Sequence, residues 1–262
     1  MVRGAVFFDV DGTLIDTWQG IPAPTAKTRE AVARLQHNGY LAIMATGRAK
    51  CYFPQGLDFF DGYVTSNGAY AEVDGQAVLD ATIGRADLQE LVDYLEPRGI
   101  NYIMENQTSC YCKHPEQPAF LTMMTNFGLT GREFMPLTDL FAVAPNKLMV
   151  TYSDMDQEPA FRAAFGHKYD ITLQPGNPAS DVGMKGVSKG YGVARVLEAL
   201  RLPREKTYAF GDADNDLTML ETVGCGVAMG RHTEGVGRVA RRVTGTVAEE
   251  GVYEGLVQLG LI

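Results

Sequence analysis

The sequence predicts a doubly wound α/β core built on a parallel sheet and interrupted by an inserted α+β segment. Short apolar runs at 4–10, 40–45, 62–66 and 206–210 are nearly continuous rather than alternating, as strands buried on both faces are. A helical pattern separates the first two, which is the strand-helix-strand order of a parallel sheet. Between about 82 and 184 the order becomes helix, paired strands, helix, strand, helix, strand, a different layer architecture. The division expected is therefore a core of residues 1–81 and 185–262, with residues 82–184 forming the insertion.

The first run, 4–10, ends in Asp9-Val10-Asp11-Gly12-Thr13-Leu14. Side chains alternate on a strand, so Asp9 and Asp11 should leave on one face at its carboxyl end. Open α/β sheets bind ligands at that end. Two carboxylates placed together in a half-buried site call for a cation or a shared proton. Residues 26–38 carry Ala31, Val32 and Leu35 at helical spacing and stop at Gly39, a good helix terminator. The strand at 40–45 then delivers Thr46-Gly47-Arg48 to the same edge, where a hydroxyl and a backbone N–H suit a phosphate oxygen. A third strand, 62–66, ends in Asn67-Gly68, and 69–73 with 76–83 reads as a hairpin about Asp74-Gly75.

In the insertion, 87–95, 118–127 and 159–165 read as helices, and 100–105, 108–113, 147–152 and 169–173 as strands. Tyr102, Met104, Met123, Met124, Phe127 and Met149 are assigned to its core. The turn signals Gln174-Pro175-Gly176 and Asn177-Pro178 mark a tip whose polar residues are expected to contact a ligand. Lys185-Gly186-Val187-Ser188-Lys189-Gly190 then leads into a helix with Val193, Val196, Leu197 and Leu200 on one face and Ser188 as N-cap. It is not a phosphate-binding P-loop, because Ser188 stands where a glycine should precede the lysine. Lys189 gains nothing from the positive end of the helix dipole and so implies an anion facing it.

The strand at 206–210 ends in Gly211-Asp212-Ala213-Asp214-Asn215-Asp216, three acids and an amide within five residues. Without a basic neighbour they repel one another, and a divalent cation resolves this. A calcium loop is a weak match, because the glycine is missing and the 214–216 run is contiguous. Alternating elements at 223–229, 234–240, around Val243 and at 250–259 complete the core.

A length of 262 residues accommodates one large domain or two modest ones. A net charge of −9 argues against general nucleic-acid affinity, which rests on basic contacts to phosphate. No apolar run approaches 18 residues and no charged-then-apolar leader is present, so neither a membrane span nor secretion is expected. That reading implies a cytoplasmic location. Cys51, Cys110, Cys112 and Cys225 lack metal-binding spacing, and in a reducing compartment all four are expected as free thiols.

Asp9-Val10-Asp11-Gly12-Thr13, Thr46-Gly47-Arg48, Lys189 and Gly211-Asp212-x-x-Asn215-Asp216 together resemble the four spaced motifs of the haloacid dehalogenase (HAD) superfamily phosphatases. Ser66-Asn67-Gly68-Ala69, the segment 185–190 and Gly226-Val227-Ala228-Met229-Gly230 look like the Cof-type subfamily with a class IIB cap. The resemblance implies a Rossmann-like HAD core with an inserted cap that selects the substrate. It implies a Mg2+-dependent phosphomonoester hydrolase acting on small metabolites, with sugar phosphates as the default class. Asp9 would be the nucleophile that forms an aspartyl-phosphate and Asp11 the general acid/base. Thr46 and Lys189 would hold the phosphoryl oxygens, with Gly47, Arg48 and Asn215 toward the substrate. Asp9, the Asp11 carbonyl and Asp212 would bind the metal, backed by Asp216. A phosphomutase or phosphotransferase using the same intermediate, or a silent binding protein on this fold, remains as an alternative. Oligomeric state is left open.

Overall fold

The computed structural model describes residues 2–54, 56–174 and 176–262, and the chain divides into two compact units. The first comprises Met1–Gly47, Phe53–Leu79 and Ser188–Ile262; the second comprises Arg48–Tyr52 and Asp80–Val187. The short Arg48–Tyr52 segment thus belongs with the second unit, although residues 1–81 were expected to form one part of the core.

In the first unit, β1 (Gly4–Phe8) is buried at every position. It feeds two cores, Val6 and Phe8 packing on one face of the sheet and Ala5 and Phe7 on the other. Regular pairing stops at Phe8, two residues earlier than expected, because the chain turns back on Val10, whose carbonyl accepts from Leu14 and Ile15 N–H at 2.9 and 3.0 Å. Helix α1 (Ala26–His37) opens on Thr25, whose hydroxyl accepts from Thr28 N–H at 3.0 Å. Then follow β2 (Tyr40–Ala45), β3 (Gly62–Thr65), β4 (Tyr70–Val73) and β5 (Gln76–Asp80). Between the last two, Asp74 and Gly75 both have left-handed φ, at 50° and 72°, the primed turn that matches strand twist.

The second unit contains α2 (Arg85–Leu95), β6 (Asn101–Glu105), β7 (Cys110–Cys112), α3 (Pro118–Asn126), β8 (Phe134–Pro136), β9 (Lys147–Thr151), α4 (Gln157–Phe165), β10 (Tyr169–Leu173) and β11 (Ala179–Met184). Among the described residues its sheet runs β10-β11-β9-β6-β7-β8. One face carries Tyr102, Leu148 and Val150 against Leu91 and Leu95 of α2 and Phe161 of α4. The other carries Ile103 and Met149 against Phe120 and Met123 of α3 and Tyr52 of the short segment.

The chain returns to the first unit with α5 (Lys189–Leu200), β12 (Thr207–Gly211), α6 (Leu217–Thr222), β13 (Cys225–Ala228), α7 (Glu234–Val239), β14 (Arg242–Val243) and α8 (Gly251–Gln258). Its sheet order among the described residues is β14-β13-β12-β1-β2-β3-β4-β5. All the pairs from β14 to β3 are parallel, and β4 joins antiparallel. Side chains of α1 and α8 cover one face, and those of α5, α6 and α7 cover the other. This is the doubly wound arrangement expected. No helix among the described residues is long and apolar enough to cross a membrane.

The sequence did not mark β8, β11 or α6. Strand β11 reads Ala-Ser-Asp-Val-Gly-Met, with no apolar run to signal it, yet it is paired on both sides, to β10 and β9. Cross-strand pairing overrides its weak local preference. Of the expected tip, Pro175 lies outside the described residues. The cysteine expectation is also corrected: Cys51 and Cys110 form a disulfide with a Cα–Cα distance of 6.3 Å, while Cys112 and Cys225 are free. Spacing could not reveal this pair, because the bridge spans 59 residues and arises only where the short segment meets β7.

Unfolding under non-reducing conditions should expose two titratable thiols, and reduction should raise the count to four. Cys51→Ser should lower stability by roughly 2–4 kcal/mol through the freed loop. Four thiols in the freshly prepared, unreduced protein would contradict the bridge.

Candidate active site

The carboxyl ends of β1, β2, β3 and β12 lie side by side in the first unit, and each hands a loop to the same edge of the sheet. Phe8 is in register with Met44 and with Phe210. The residues after them, Asp9, Thr46 and the loop beginning at Asp212, therefore emerge from neighbouring strand ends. The first residue of α5 supplies the fourth component, Lys189.

Asp9 is 4% exposed and Lys189 is 1% exposed. The Lys189 ammonium donates to Asp9 Oδ1 at 2.5 Å and to Asp216 Oδ1 at 2.6 Å. Asp216 is fully occupied by this arrangement, since its Oδ2 accepts from the backbone N–H groups of Asp212 and Ala213 at 2.9 and 3.1 Å. It braces the loop and the lysine together. Ser188 caps the helix, its hydroxyl accepting from Tyr191 N–H at 3.2 Å, and this fixes where Lys189 begins. The anion implied by a lysine at a helix start is thus a pair of aspartates.

Two glycines make the convergence possible. Gly12 has φ of +96°, and a Cβ there would lie 2.3 Å from Asp212 Oδ2. Gly68 has φ of +92°, and its Cβ would lie 1.9 Å from the Ser188 carbonyl oxygen. Neither position admits a side chain. Thr13 donates to Asp212 Oδ1 at 3.4 Å, linking the first and last loops.

Oxygens of Asp9, Asp212 and Asp216 lie within 4.8 Å of one another. Three carboxylates face one ammonium, and the excess negative charge is visible in their ionisation. Burial, reinforced by Asp216, raises the Asp9 carboxyl well above its ordinary range, against the pull of Lys189. Burial and Asp216 likewise push Asp212 up to about 7. Burial works to lower the Lys189 ammonium, but Asp216 and Asp9 outweigh it and hold the group above the usual lysine value. An oxygen-only donor set with unbalanced negative charge fits a hard divalent cation. Since both Asp216 oxygens are engaged, Asp9 and Asp212 are the carboxylates best able to hold it. The Asp11 side chain is exposed and outside this group, yet near enough to act on the Asp9 charge.

Thr46 is buried, its N–H donating to the Val64 carbonyl at 2.8 Å and its carbonyl accepting from Asn67 N–H at 3.1 Å. Asn67 was not among the expected site residues. It has φ of 52°, follows Ser66 at 51°, and accepts from the Asn215 side chain at 3.3 Å. Two consecutive non-glycine residues in this region are strained. Asn67 ties the Thr46-Gly47 loop to the Asn215 loop, and the available sequence signal was the Asn-Gly pair ending β3. Arg48 is placed otherwise: it belongs to the second unit, where it lies over the Phe127 ring at 5.3 Å and donates to the Tyr52 carbonyl at 3.4 Å.

With this geometry in view, comparison with known proteins is informative. Residues 6–256 match the family model described as haloacid dehalogenase-like hydrolase. The chain is 27% identical to pyridoxal phosphate phosphatase YbhA of Escherichia coli (strain K12), with 97% of both chains covered. It is 26% identical to 5-amino-6-(5-phospho-D-ribitylamino)uracil phosphatase YitU of Bacillus subtilis (strain 168), with 94% of both covered. Among solved structures, a protein of Geobacillus kaustophilus HTA426 is 30% identical with a TM-score of 0.88, covering 99% of this chain and 100% of that one. The HAD subclass IIB sugar phosphatase BT4131 shares the fold at 24% identity and a TM-score of 0.83, with 99% and 100% covered.

The raised carboxyls predict how stability depends on pH. Their folded values lie above the unfolded one, so the native state holds extra protons, and without divalent ions their contribution to stability falls as pH rises from about 4 through about 7. A divalent cation should therefore raise Tm more at pH 8 than at pH 5 in a chelator-treated sample. Equal shifts at both pH values would contradict this charge assignment.

Proposed function

Because the chain belongs to the haloacid dehalogenase-like hydrolases and is a phosphatase of their Cof-type branch, we propose that it hydrolyses small phosphate monoesters, sugar phosphates foremost, through an aspartyl-phosphate on Asp9 in a Mg2+-dependent reaction. The observation that carries this reading is the Lys189 ammonium set between Asp9 and Asp216 beside the Asp212 carboxylate. Lys189 holds Asp9 in one orientation while keeping a cationic group where phosphoryl oxygens would arrive. Relatives named as phosphatases support the reaction class, and a sugar phosphatase of the same fold supports the substrate class.

Phosphate monoesters are extremely slow to hydrolyse unaided, so a nucleophile, a proton for the leaving oxygen and charge neutralisation are all required. In the first step an Asp9 oxygen attacks phosphorus, forming an acyl–phosphate bond as the ester O–P bond breaks. Asp11 gives its proton to the departing alkoxide. In the second step Asp11 takes a proton from water as that water attacks phosphorus, releasing inorganic phosphate and restoring the Asp9 carboxylate. Lys189, the Thr46 hydroxyl and the Gly47 N–H bind the phosphoryl oxygens. Asn67 and Asn215 keep the two flanking loops in register. Asp9, Asp212 and the Asp11 carbonyl would hold Mg2+, which supplies neutralisation of the phosphoryl charge.

The second unit takes the role of a cap over residues 82–184, extended by the Arg48–Tyr52 segment. It selects the leaving group and limits water during the first step. Arg48, carried on that segment, is assigned to the substrate.

Phosphate release in the presence of Mg2+ should stop on adding chelator and return with Mg2+. Asp9→Asn should reduce it by at least about a thousandfold while leaving the fold intact. Lys189→Ala should depress kcat/KM for every ester alike, because it serves the shared phosphoryl group. Turnover by pure Asp9→Asn protein, or full activity with chelator present, would refute the mechanism.

A further inference from the structure

Between Gly47 and Phe53, both of the first unit, the chain makes a brief excursion: Arg48–Tyr52 belongs to the second. Non-covalent contacts and one covalent bond hold it there. Ala49 is fully buried and Tyr52 is 5% exposed, within the cluster that contains Ile103, Phe120 and Met149. The Tyr52 hydroxyl donates to Glu105 Oε2 at 3.0 Å, and the same oxygen lies 3.2 Å from the Lys147 ammonium. Cys51 supplies the covalent bond, its bridge to Cys110 of β7. Both sulfurs therefore lie in the second unit, although the chain on either side of the excursion does not.

The two sulfurs differ in access. Cys110 is 0% exposed and stands on a strand paired on both sides, to β6 and β8, whereas Cys51 is half-buried. A thiolate arriving from solvent reaches Cys51 Sγ and is kept from Cys110 Sγ. Partly exposed disulfides are the labile ones, and fully enclosed ones resist exchange. A third sulfur shares the cluster: Cys112, on the same face of β7 as Cys110, is 1% exposed. Burial pushes its thiol up to about 11, so it stays protonated and does not attack the bridge. Exchange is thus confined to one pair of sulfurs and enters through one of them.

The bridge also bears on the candidate site through the chain itself. Thr46 and Gly47, assigned above to the phosphoryl oxygens, lead directly into the excursion. Before Gly47 the chain is fastened by the bonds of Thr46 to Val64 and Asn67. Beyond Gly47 the closed bridge adds a covalent anchor, so the turn is fixed from both sides. Groups that bind a reacting phosphoryl lose rate when misplaced by as little as about 1 Å.

We propose that Cys51 is a thiol-exchange site and that the Cys51–Cys110 bridge is a reversible redox switch for the Thr46-Gly47 turn, faster in turnover when closed and slower when open. The exchange partner is a low-molecular-weight thiol with its disulfide, the glutathione couple being one example. In opening, the small thiolate attacks Cys51 Sγ, the bond between the two protein sulfurs breaks, and Cys110 leaves as a thiolate that takes up a proton. A second small thiolate then attacks the small-molecule sulfur of the mixed disulfide, releasing the small disulfide and a Cys51 thiolate that is protonated in turn. Two small thiols are oxidised to one disulfide while the protein bridge is reduced to two thiols; closure runs the same steps in reverse. The effect on turnover rests on the phosphomonoesterase reading above, and the exchange at Cys51 does not.

The test equilibrates the full chain in millimolar glutathione over a range of reduced-to-oxidised ratios and quenches samples by alkylation for peptide mass spectrometry. Turnover of p-nitrophenyl phosphate with Mg2+ and far-ultraviolet circular dichroism are followed in parallel. Reduced glutathione should open the bridge in folded protein, oxidised glutathione should close it again, and glutathione adducts of the bridge should map to Cys51 rather than Cys110. With opening, kcat/KM should fall by about tenfold, and it should recover on closure. Cys110→Ser should stay at the lower value in every buffer while accepting glutathione on Cys51, whereas Cys225→Ser should switch like the unaltered protein. A bridge that fully reduced glutathione leaves closed, adducts on Cys110, or opening of the unaltered protein with no change in kcat/KM would overturn the proposal, whether or not Cys110→Ser folds. Absence of hydrolysis in both states would instead overturn the phosphomonoesterase reading and the effect on turnover, while the mass spectra still decide the exchange at Cys51.

Discussion

A single buried ammonium holds the candidate site together. Lys189 is the only cation within hydrogen-bond reach of Asp9 among the described contacts, and the same group binds Asp216. Those two aspartates belong to loops more than 200 residues apart in sequence, and Lys189 itself opens a helix from a third segment. Removing charges from water is expensive, so an Asp9 without this cation would hold a proton more tightly still. Lys189 therefore has two tasks that cannot be separated: it pulls Asp9 toward its ionised form against burial and Asp216, and it fixes the geometry of three loops.

The rest of the first unit serves that interaction. Parallel pairing brings the ends of β1, β2, β3 and β12 to one edge, and the packing of α5 against the same sheet carries Lys189 there. Gly12 and Gly68 permit approaches that no side chain would survive, one to Asp212 and the other to Ser188. The left-handed Ser66 and Asn67 store strain at the neighbouring loop, where Asn67 joins Thr46 to Asn215. Even with Lys189 in place the negative charge exceeds the positive, which is why the donor set suits a divalent cation.

Much of this was legible because the responsible signals are local. Asp9 and Asp212 stand at the ends of apolar runs, with Asp216 closing the acidic loop that Asp212 opens, and strand-then-acid is readable without any long-range knowledge. The helix at Lys189 declared itself through Ser188 and its apolar stripe. What could not be read depends on contacts between distant segments. Strand β11 exists because β9 and β10 flank it, not because its own residues prefer extended backbone. The Cys51–Cys110 bridge and the Tyr52–Glu105 bond both arise from the return of Arg48–Tyr52 to the second unit, which no spacing rule anticipates. Glu105 and Lys147 stand at the ends of the expected strands 100–105 and 147–152, and only their burial reveals that they form a cluster.

The dependence on Lys189 is best tested by a thermodynamic cycle of Lys189→Met and Asp9→Asn, measured as unfolding free energy in chelator at neutral pH. Lys189→Met alone leaves two aspartates buried without their cation and should be strongly destabilising. Adding Asp9→Asn removes one of the stranded charges, so the double variant should recover roughly 2–3 kcal/mol relative to Lys189→Met alone. A double variant no more stable than the sum of the two single changes would show that Lys189 and Asp9 are not energetically coupled and would contradict the account.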